Sequence, residues 1–259
     1  MEFSPVSFEG FEGREGDLRR LMRYASKAPM FYRTDVWTHT QRVLWHVEAL
    51  APLAALAYGP DFHVGLARTL ALVHDDIEIV TGDKERDAKE RETPEERQER
   101  YRKENLAMGV LQKRFPRFVN GHHYGILLYL ARMKQGIEAQ VVKYCDTFDS
   151  LGEEMHEVYA GNNHVFVNNR QFATMIIEDV ARLRALPEEF PRLRELVALE
   201  HPMFHTASMD IDWTDVVARG TPHTVERLHQ DYGCIAYNAW KRTIIEHGGL
   251  QSLVEQKEF

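Results

Sequence analysis

The sequence is poor in the features that mark several common classes of protein. It has only two cysteines, Cys145 and Cys234, and they do not form a CxxC pair. This excludes a disulfide framework and is typical of a reducing cytoplasm. No apolar run approaches the length of a membrane-spanning helix. The opening stretch, MEFSPVSFEGFEGREGDLRR, lacks a basic start followed by an apolar run, so we expect no secretory signal, a cytoplasmic location and no membrane partner.

Positive charge is also in deficit. The chain has 32 Lys and Arg against 40 Asp and Glu, which gives a net charge of -8. An acidic surface repels phosphate backbones, so we expect no nucleic-acid partner. A small anionic substrate is still compatible with this charge, because a metal ion or a few arginines can override it locally.

Strand alternation, internal repeats and low-complexity linkers are missing as well, and apolar residues recur at helical spacing instead. This pattern predicts an all-α fold. The predicted helices cover 36–58, 66–77, the region after Thr93-Pro94-Glu95-Glu96, 126–133, 141–161, 166–186 and 225–247. We predict a core over 17–186 and a helical extension over 187–259 packed on it. The tryptophans of this extension, Trp213 and Trp240, are predicted to be core or dimer-contact residues.

One stretch, HDDIEIVTGD from His74 to Asp83, concentrates ionisable groups at the end of an apolar run. Glu78 follows His74 by four residues and Asp75 by three, so a single helix would bring all three together. An imidazole beside carboxylates suits a divalent transition metal. Asp76 is predicted to face water, and the charged run 84–103 to be a solvated face rather than a lid.

Two further ligands are needed to close such a site, and each has a rival nearby. His39 lies on the apolar face of the helix 36–58, with His46 one heptad later. Asp146 lies within VVKYCDTFDS, with Asp149 one turn later. For His46 we favour a packing or supporting role behind the ligands.

The order His39, His74-Asp75, Asp146 resembles the HD-domain metal-dependent phosphohydrolases. HDDIEIVTGD is similar to the HDxxExxTGD stretch of the YfbR-like nucleoside 5′-monophosphatases. VVKYCDTFDSL followed by YAGNN, and RTDVWTHT, resemble two further stretches of that subgroup. The resemblance spans residues 33–163 and favours Asp146 over Asp149, because it aligns Lys143 and the AGNN ending.

The resemblance implies an HD-domain helical bundle with additional C-terminal helices. It implies that His39, His74, Asp75 and Asp146 bind a divalent ion such as Mn, Co, Cu, Fe, Ni, Zn or Mg. Such an ion lowers the pKa of a bound water and offsets charge on phosphoryl oxygens. Glu78 would be the catalytic residue that moves a proton.

The resemblance also implies that Asp83 contacts the sugar of a deoxynucleoside 5′-monophosphate. Members of the subgroup carry an Arg-Trp pair near the N-terminus, where this chain has Arg23-Tyr24. We therefore assign Arg23 to substrate binding, with Arg33 and Lys143 as candidate phosphate contacts. The subgroup resemblance is compatible with a homodimer.

Three functions stay open from the sequence. The favoured one is a metal-dependent 5′-nucleotidase, because few basic residues lie near the motifs. The second is an HD hydrolase of another phosphate ester, such as a nucleoside triphosphate or a guanosine alarmone. The third is a catalytically silent HD protein that binds a nucleotide, and the complete set of candidate ligands disfavours it.

Overall fold

The computed structural model describes residues 3–25, 30–84, 88–89, 91–159, 171–206 and 235–249. Trp213, Cys234 and the AGNN stretch lie outside these residues. In the described parts the chain is a bundle of helices. They are α1 (Arg14–Arg19), α2 (Val36–Tyr58), α3 (Val64–Val73), α4 (Glu78–Thr81), α5 (Pro94–Arg114), α6 (Tyr124–Met133), α7 (Ile137–Tyr159), α8 (Gln171–Glu189), α9 (Leu193–Val197) and α10 (Ile235–Glu246). Short 3-10 turns span Gly59–Asp61 and Pro202–Phe204.

Helices α2, α3 and α7 form the centre of the bundle, with α8 and α10 packed on α7. Their inward faces bury apolar side chains at the spacing read from the sequence, such as Val43, Val47, Leu50 and Ala54 on α2. The predicted all-α fold is confirmed by this arrangement. No helix in the described residues combines the length and the apolar character needed to cross a membrane.

Local signals set the ends of the long helices. Asp35 caps α2 by accepting a hydrogen bond from the Thr38 amide at 2.7 Å, and Gly59, with φ of 56°, ends it. Thr93 and Glu96 form the predicted capping box at the start of α5, with both reciprocal hydrogen bonds present. Pro52 lies inside α2 without ending it.

One prediction about the helices was wrong. His74, Asp75 and Glu78 do not share one helix, because α3 ends at Val73 and α4 begins at Glu78. Tight turns join these helices, with the Asp76 amide donating to Val73 O at 3.1 Å and the Glu78 amide to Asp75 O at 2.9 Å.

The chain also contains a small β-hairpin, which we did not expect. Strand β1 (Phe118–Val119) pairs antiparallel with β2 (His122–His123). Asn120 and Gly121, with φ of 48° and 79°, form the turn between them. The Asn-Gly pair is a hairpin signal that was readable in the sequence.

The chain after residue 186 packs on the bundle wherever it is described. Leu193, Leu196, Met203 and Trp240 are buried in the same core as α2 and α7. Helix α8 runs through the predicted boundary at residue 187, and the division into core and extension stays a prediction.

Candidate metal centre and substrate cavity

Three separate segments bring the predicted metal ligands together. His39 comes from the first turn of α2, His74 and Asp75 from the turn after α3, and Asp146 from α7. His39 Nε2 lies 3.1 Å from Asp146 Oδ1 and 3.7 Å from Asp75 Oδ2, and His74 Nε2 lies 3.2 Å from Asp75 Oδ2. One ligand atom from each of His39, His74 and Asp146 falls within 4.8 Å of the others.

The chemistry of this ligand cluster fits a divalent cation. His74 Nδ1 lies 2.7 Å from Ala71 O, whereas its buried Nε2, on the side of the carboxylates, makes no hydrogen bond. An orphaned imidazole nitrogen beside two carboxylates is costly unless an ion occupies the space between them. Two imidazoles and two carboxylates are a donor set that suits transition ions such as Zn²⁺ or Mn²⁺.

Behind His39 lies a fully buried set of side chains centred on Asp149. Asp149 Oδ2 is 2.8 Å from His39 Nδ1. Its Oδ1 accepts a hydrogen bond from Trp240 Nε1 at 2.7 Å and lies 3.2 Å from His46 Nε2. His46 thus lies behind the ligand cluster, in the supporting position that the sequence analysis favoured for it.

Asp149 and Glu153 could in principle form a second metal group with His39, since atoms of the three lie within 4.8 Å of one another. However, Glu153 accepts hydrogen bonds from Arg42 Nη1 at 2.9 Å and from Arg23 Nε at 3.0 Å. Because the carboxylates of this second group already have protein donors, the group is accounted for by hydrogen bonds and ion pairs.

Asp76 is buried, so the prediction that it faces water was wrong. Arg14 Nη2 donates to Asp76 Oδ1 at 2.6 Å and Arg14 Nε to Oδ2 at 2.8 Å. The Tyr124 hydroxyl donates to Oδ2 at 2.7 Å. The turn after α3 directs Asp75 and Asp76 to opposite sides, and α1 and α6 supply the partners that make burial of Asp76 tolerable.

The ligand cluster strongly favours positive charge. Burial opposes ionisation of Asp146, but Lys143, with its Nζ 2.6 Å from Asp146 Oδ2, and the ring of His39 hold the pKa of Asp146 well below its usual range. Burial and Arg23 oppose protonation of His39, yet hydrogen bonds with Asp146 and Asp149 raise the pKa of His39 to about 9. The negative charge that retains this proton would equally attract a metal cation.

Glu78 lies next to the ligand cluster, and its pKa is shifted in the opposite direction to that of Asp146. Burial, together with the negative charges of Asp75 and Asp83, raises the pKa of Glu78 well above its ordinary value. Its Oε1 lies 3.8 Å from Lys89 Nζ. Burial also raises the pKa of Asp83, although the charge of Arg23 opposes this. A carboxyl group whose pKa is raised by its surroundings is suited to carrying a proton.

The ligand cluster opens onto a cavity of about 1340 Å³. Its wall includes His74, Asp75 and Asp146, together with the predicted catalytic residue Glu78. Among the predicted substrate contacts, Arg23, Asp83 and Lys143 also line it. Arg33, which is half-buried, is not among the described residues of the wall.

Helix α5 forms one wall of this cavity. The charged run 84–103, which includes the first half of this helix, was predicted only to be a solvated face. Arg97, Arg100 and Lys103 line the cavity from this helix, with several acidic neighbours. Arg100 binds Glu92 at 2.9 Å and Glu104 at 2.7 Å. The charged run therefore faces solvent within the cavity, and much of its charge is internally paired.

Lys134 also lines the cavity, and it was not among the site residues predicted from the sequence. It ends α6 in the left-handed conformation, with φ of 51°, and its Nζ donates to Arg132 O at 3.0 Å. Burial and the nearby charge of Lys143 lower the pKa of Lys134 to about 8. A lysine at the end of a helical pattern carries no sequence signal that separates it from a surface residue.

Comparison with known protein families shows which family this chain belongs to. Residues 16–188, about two thirds of the chain, match the family described as 5′-deoxynucleotidase YfbR-like. The chain belongs to the YfbR-like 5′-deoxynucleotidase family. This confirms the family predicted from the motifs, and with it a metal-dependent phosphohydrolase. No curated protein matches the chain.

Several solved structures are similar to this chain. A conserved hypothetical protein from Pyrococcus furiosus is 19% identical with a TM-score of 0.49, over 72% of this chain and 96% of that one. The cyanophage S-2L HD phosphohydrolase DatZ, bound to dA and one catalytic Zn²⁺ ion, is 19% identical with a TM-score of 0.46, over 81% and 98%. A predicted metal-dependent phosphohydrolase from Magnetospirillum magnetotacticum is 16% identical with a TM-score of 0.44, over 71% and 90%.

Proposed function

We propose that this protein removes phosphate from deoxynucleoside 5′-monophosphates with the help of a divalent metal ion. The observation that carries the proposal is the meeting of His39, His74, Asp75 and Asp146, the last three of which line a large cavity. Family membership narrows the substrate to a deoxynucleotide. A bound ion would supply an activated water and charge compensation for the phosphoryl oxygens.

The surrounding residues then take distinct roles. Glu78 is the proton carrier, because it lies beside the ligand cluster, and burial and the charges of Asp75 and Asp83 raise its pKa and favour the protonated form. Lys143, on the cavity wall and 2.6 Å from Asp146, binds phosphate oxygens next to the metal position. We do not assign a phosphate contact to Arg33, because Arg33 is not among the described residues of the cavity wall.

Arg23 and Asp83 contact the nucleoside part of the substrate. Arg23 is fixed by Glu153 at 3.0 Å and by Ser150 Oγ at 2.9 Å. Its charge acts on Asp83 across the same cavity wall. A positioned guanidinium opposite a carboxylate gives the donors and acceptors that a sugar hydroxyl and a base edge require. Tyr24, beside Arg23, takes the place of the subgroup's tryptophan.

A second function, hydrolysis of a nucleoside triphosphate, is favoured by the size of the cavity and the basic residues in its wall. Arg97, Arg100, Lys103 and Arg132 line it in addition to the residues near the ligand cluster. A triphosphate chain would need such cations. Because Arg100 is paired with Glu92 and Glu104, and Arg132 with Glu104 at 2.8 Å, the monophosphate remains the favoured substrate.

A nucleotide panel separates these functions. The purified chain would be supplied with Mn²⁺, Co²⁺ or Zn²⁺ and with deoxynucleoside mono-, di- and triphosphates, and the products would be resolved by ion-exchange chromatography. We expect inorganic phosphate and a deoxynucleoside from the monophosphates, only with metal. Release of tripolyphosphate or pyrophosphate would favour the second function, and binding without any release would favour a silent HD protein. Asp146→Ala is the matched inactive control.

Two finer predictions belong with this proposal. A cytoplasmic location is supported by the low cysteine content of the sequence, which has only Cys145 and Cys234. A homodimer is supported by exposed apolar side chains on α5 and α6, among them Leu106, Ile126 and Met133. Light scattering on the purified chain would measure the mass of the assembly.

A further inference from the structure

A continuous chain of buried contacts joins the C-terminal helix α10 to the metal-ligand cluster. Trp240 Nε1 donates to Asp149 Oδ1 at 2.7 Å, and Asp149 Oδ2 lies 2.8 Å from His39 Nδ1. The other ring nitrogen of His39 faces Asp146 at 3.1 Å. Trp240 is 1% exposed, and Asp149 and His39 are fully buried, so water cannot replace the two contacts that Asp149 makes with them.

The position of the indole is set by close packing against α7. A Cβ atom at Gly152 would lie 2.2 Å from Trp240 Cδ1, so the ring occupies the space that any larger residue would fill. The guanidinium of Arg42 lies 5.4 Å from the centre of the indole ring. Gly152 is three residues after Asp149, and this proximity lets the indole N–H reach the carboxylate one turn away.

The physical effect of this contact is on the geometry of His39. A carboxylate that accepts from the Nδ1 side of a histidine fixes the tautomer and the plane of the ring, so that Nε2 points at the metal. Asp149 can do this only if its own orientation is fixed. Trp240 supplies a rigid donor for this purpose, because an indole N–H donates and cannot accept.

We propose that Trp240 is a positioning residue for the metal centre, acting through Asp149 on His39. The inference rests on the proposed function, since it assumes that His39 is a metal ligand. Trp240 lies outside residues 16–188, the part that matches the family. The C-terminal part of this chain therefore contributes to the metal centre as well as to the core.

The direct test is Trp240→Phe, which keeps an aromatic ring and removes the N–H. Affinity for Co²⁺ and Zn²⁺ would be measured by competition with a chromophoric chelator, and the ligand geometry by the visible absorption of the Co²⁺ protein. We expect affinity to fall about tenfold, in line with losses of supporting hydrogen bonds at metal sites, and the absorption bands to shift. Gly152→Ala, which displaces the indole without removing it, should lower affinity in the same direction.

Ile244→Ala is the matched control, because Ile244 is a fully buried residue of the same helix. It should lower the melting temperature while leaving metal affinity unchanged. In an Asp149→Asn background, Trp240→Phe should change affinity by less than about twofold, since the intermediate contact is already altered.

The outcomes separate two kinds of failure. If the wild-type chain binds no divalent ion, the proposed function fails and this inference fails with it. If the wild type binds the ion and Trp240→Phe binds it equally well, only the inference is overturned. It is also overturned if Ile244→Ala loses as much affinity as Trp240→Phe, or if the effects of Trp240→Phe and Asp149→Asn add in full.

Discussion

The cavity side of the metal-ligand cluster and the buried side behind it are built from the same residue types. Asp75 and Asp76 are neighbours in the sequence, and Asp146 and Asp149 are one turn apart on α7. Asp76 and Asp149 are fully buried and held by Arg14, Tyr124 or Trp240. Asp75 and Asp146 have side chains 20% and 19% exposed and converge with imidazoles on the cavity.

This difference shows that pairing, rather than residue type, decides what a buried carboxylate does. On the buried side, protein donors satisfy each carboxylate, and the result is a rigid frame. On the cavity side, Asp146 is paired with Lys143, but two imidazoles and two carboxylates converge there and His74 Nε2 makes no hydrogen bond. A bound cation would stabilise this arrangement. Each side can therefore be tested by removing one group from it.

The largest effect is expected on the cavity side, from Glu78→Gln. This change keeps the shape of the side chain and removes its ability to carry a proton, so turnover should fall by about 10²–10⁴-fold. Metal content should stay at the wild-type level, because Glu78 is not among the four proposed ligands. Phosphate release and metal analysis of the same preparation check both statements.

Asp146→Ala is the contrasting variant for Glu78→Gln. It should lose both activity and metal, because it removes a proposed ligand. Near-full activity of Glu78→Gln would show that Glu78 carries no proton in the reaction. Loss of metal from that variant would instead place Glu78 among the ligands.

The next effect is expected on the buried side, from Arg14→Met. It leaves the Asp76 carboxylate buried, with Tyr124 as its remaining side-chain partner in the described part of the chain. The free energy of unfolding should fall by about 3–5 kcal/mol, the range for breaking a buried ion pair. Urea unfolding measures this loss.

Arg19→Met is the control for Arg14→Met. Arg19 lies on the same helix, and its side chain is 48% exposed in its pair with Glu15, so its removal should change the unfolding free energy by less than about 1 kcal/mol. Equal losses from the two variants would mean that the Arg14–Asp76 contact contributes no more than an exposed pair.

A smaller effect is expected at the cavity wall, from Lys134→Met. The pKa of Lys134 is lowered to about 8 by burial and Lys143, so its ammonium is charged below about pH 8 and neutral above it. If it attracts the substrate phosphate, kcat/KM of the wild type should fall as pH rises through 8. The variant should have a kcat/KM about tenfold lower at pH 7, the loss expected for one charged hydrogen bond, and should lack this fall.

Lys103→Met is the control for the Lys134 variant, because Lys103 lines the same cavity but its side chain is 65% exposed. Its kcat/KM should match the wild type at every pH. An unchanged pH profile in Lys134→Met would show that the titration belongs to another group.

Much of the cavity side was predictable from the sequence, because its information is local. The helical period located α2 and α7, and the spacing of the HDDIEIVTGD stretch singled out the residues of the turn after α3. The capping box at Thr93 and Glu96 was equally local, and the structure confirmed it. The Asn-Gly hairpin was local too, and it was overlooked.

The buried side was not predictable, because its contacts join distant parts of the chain. Arg14 reaches Asp76 across 62 residues, and Trp240 reaches Asp149 across 91. Neither pair leaves a periodicity or a motif in a single sequence. A charged residue beside the motif was therefore assigned to solvent by its type, although tertiary contacts bury it. Lys134 was missed for the same reason.

The measurement that tests the central claim most directly is anomalous diffraction from crystals grown with Zn²⁺. The account predicts one strong peak between His39, His74, Asp75 and Asp146, with ligand atoms about 2.0–2.2 Å from the ion. A peak between Asp149 and Glu153 instead, or no peak at the four residues at saturating zinc, would contradict it.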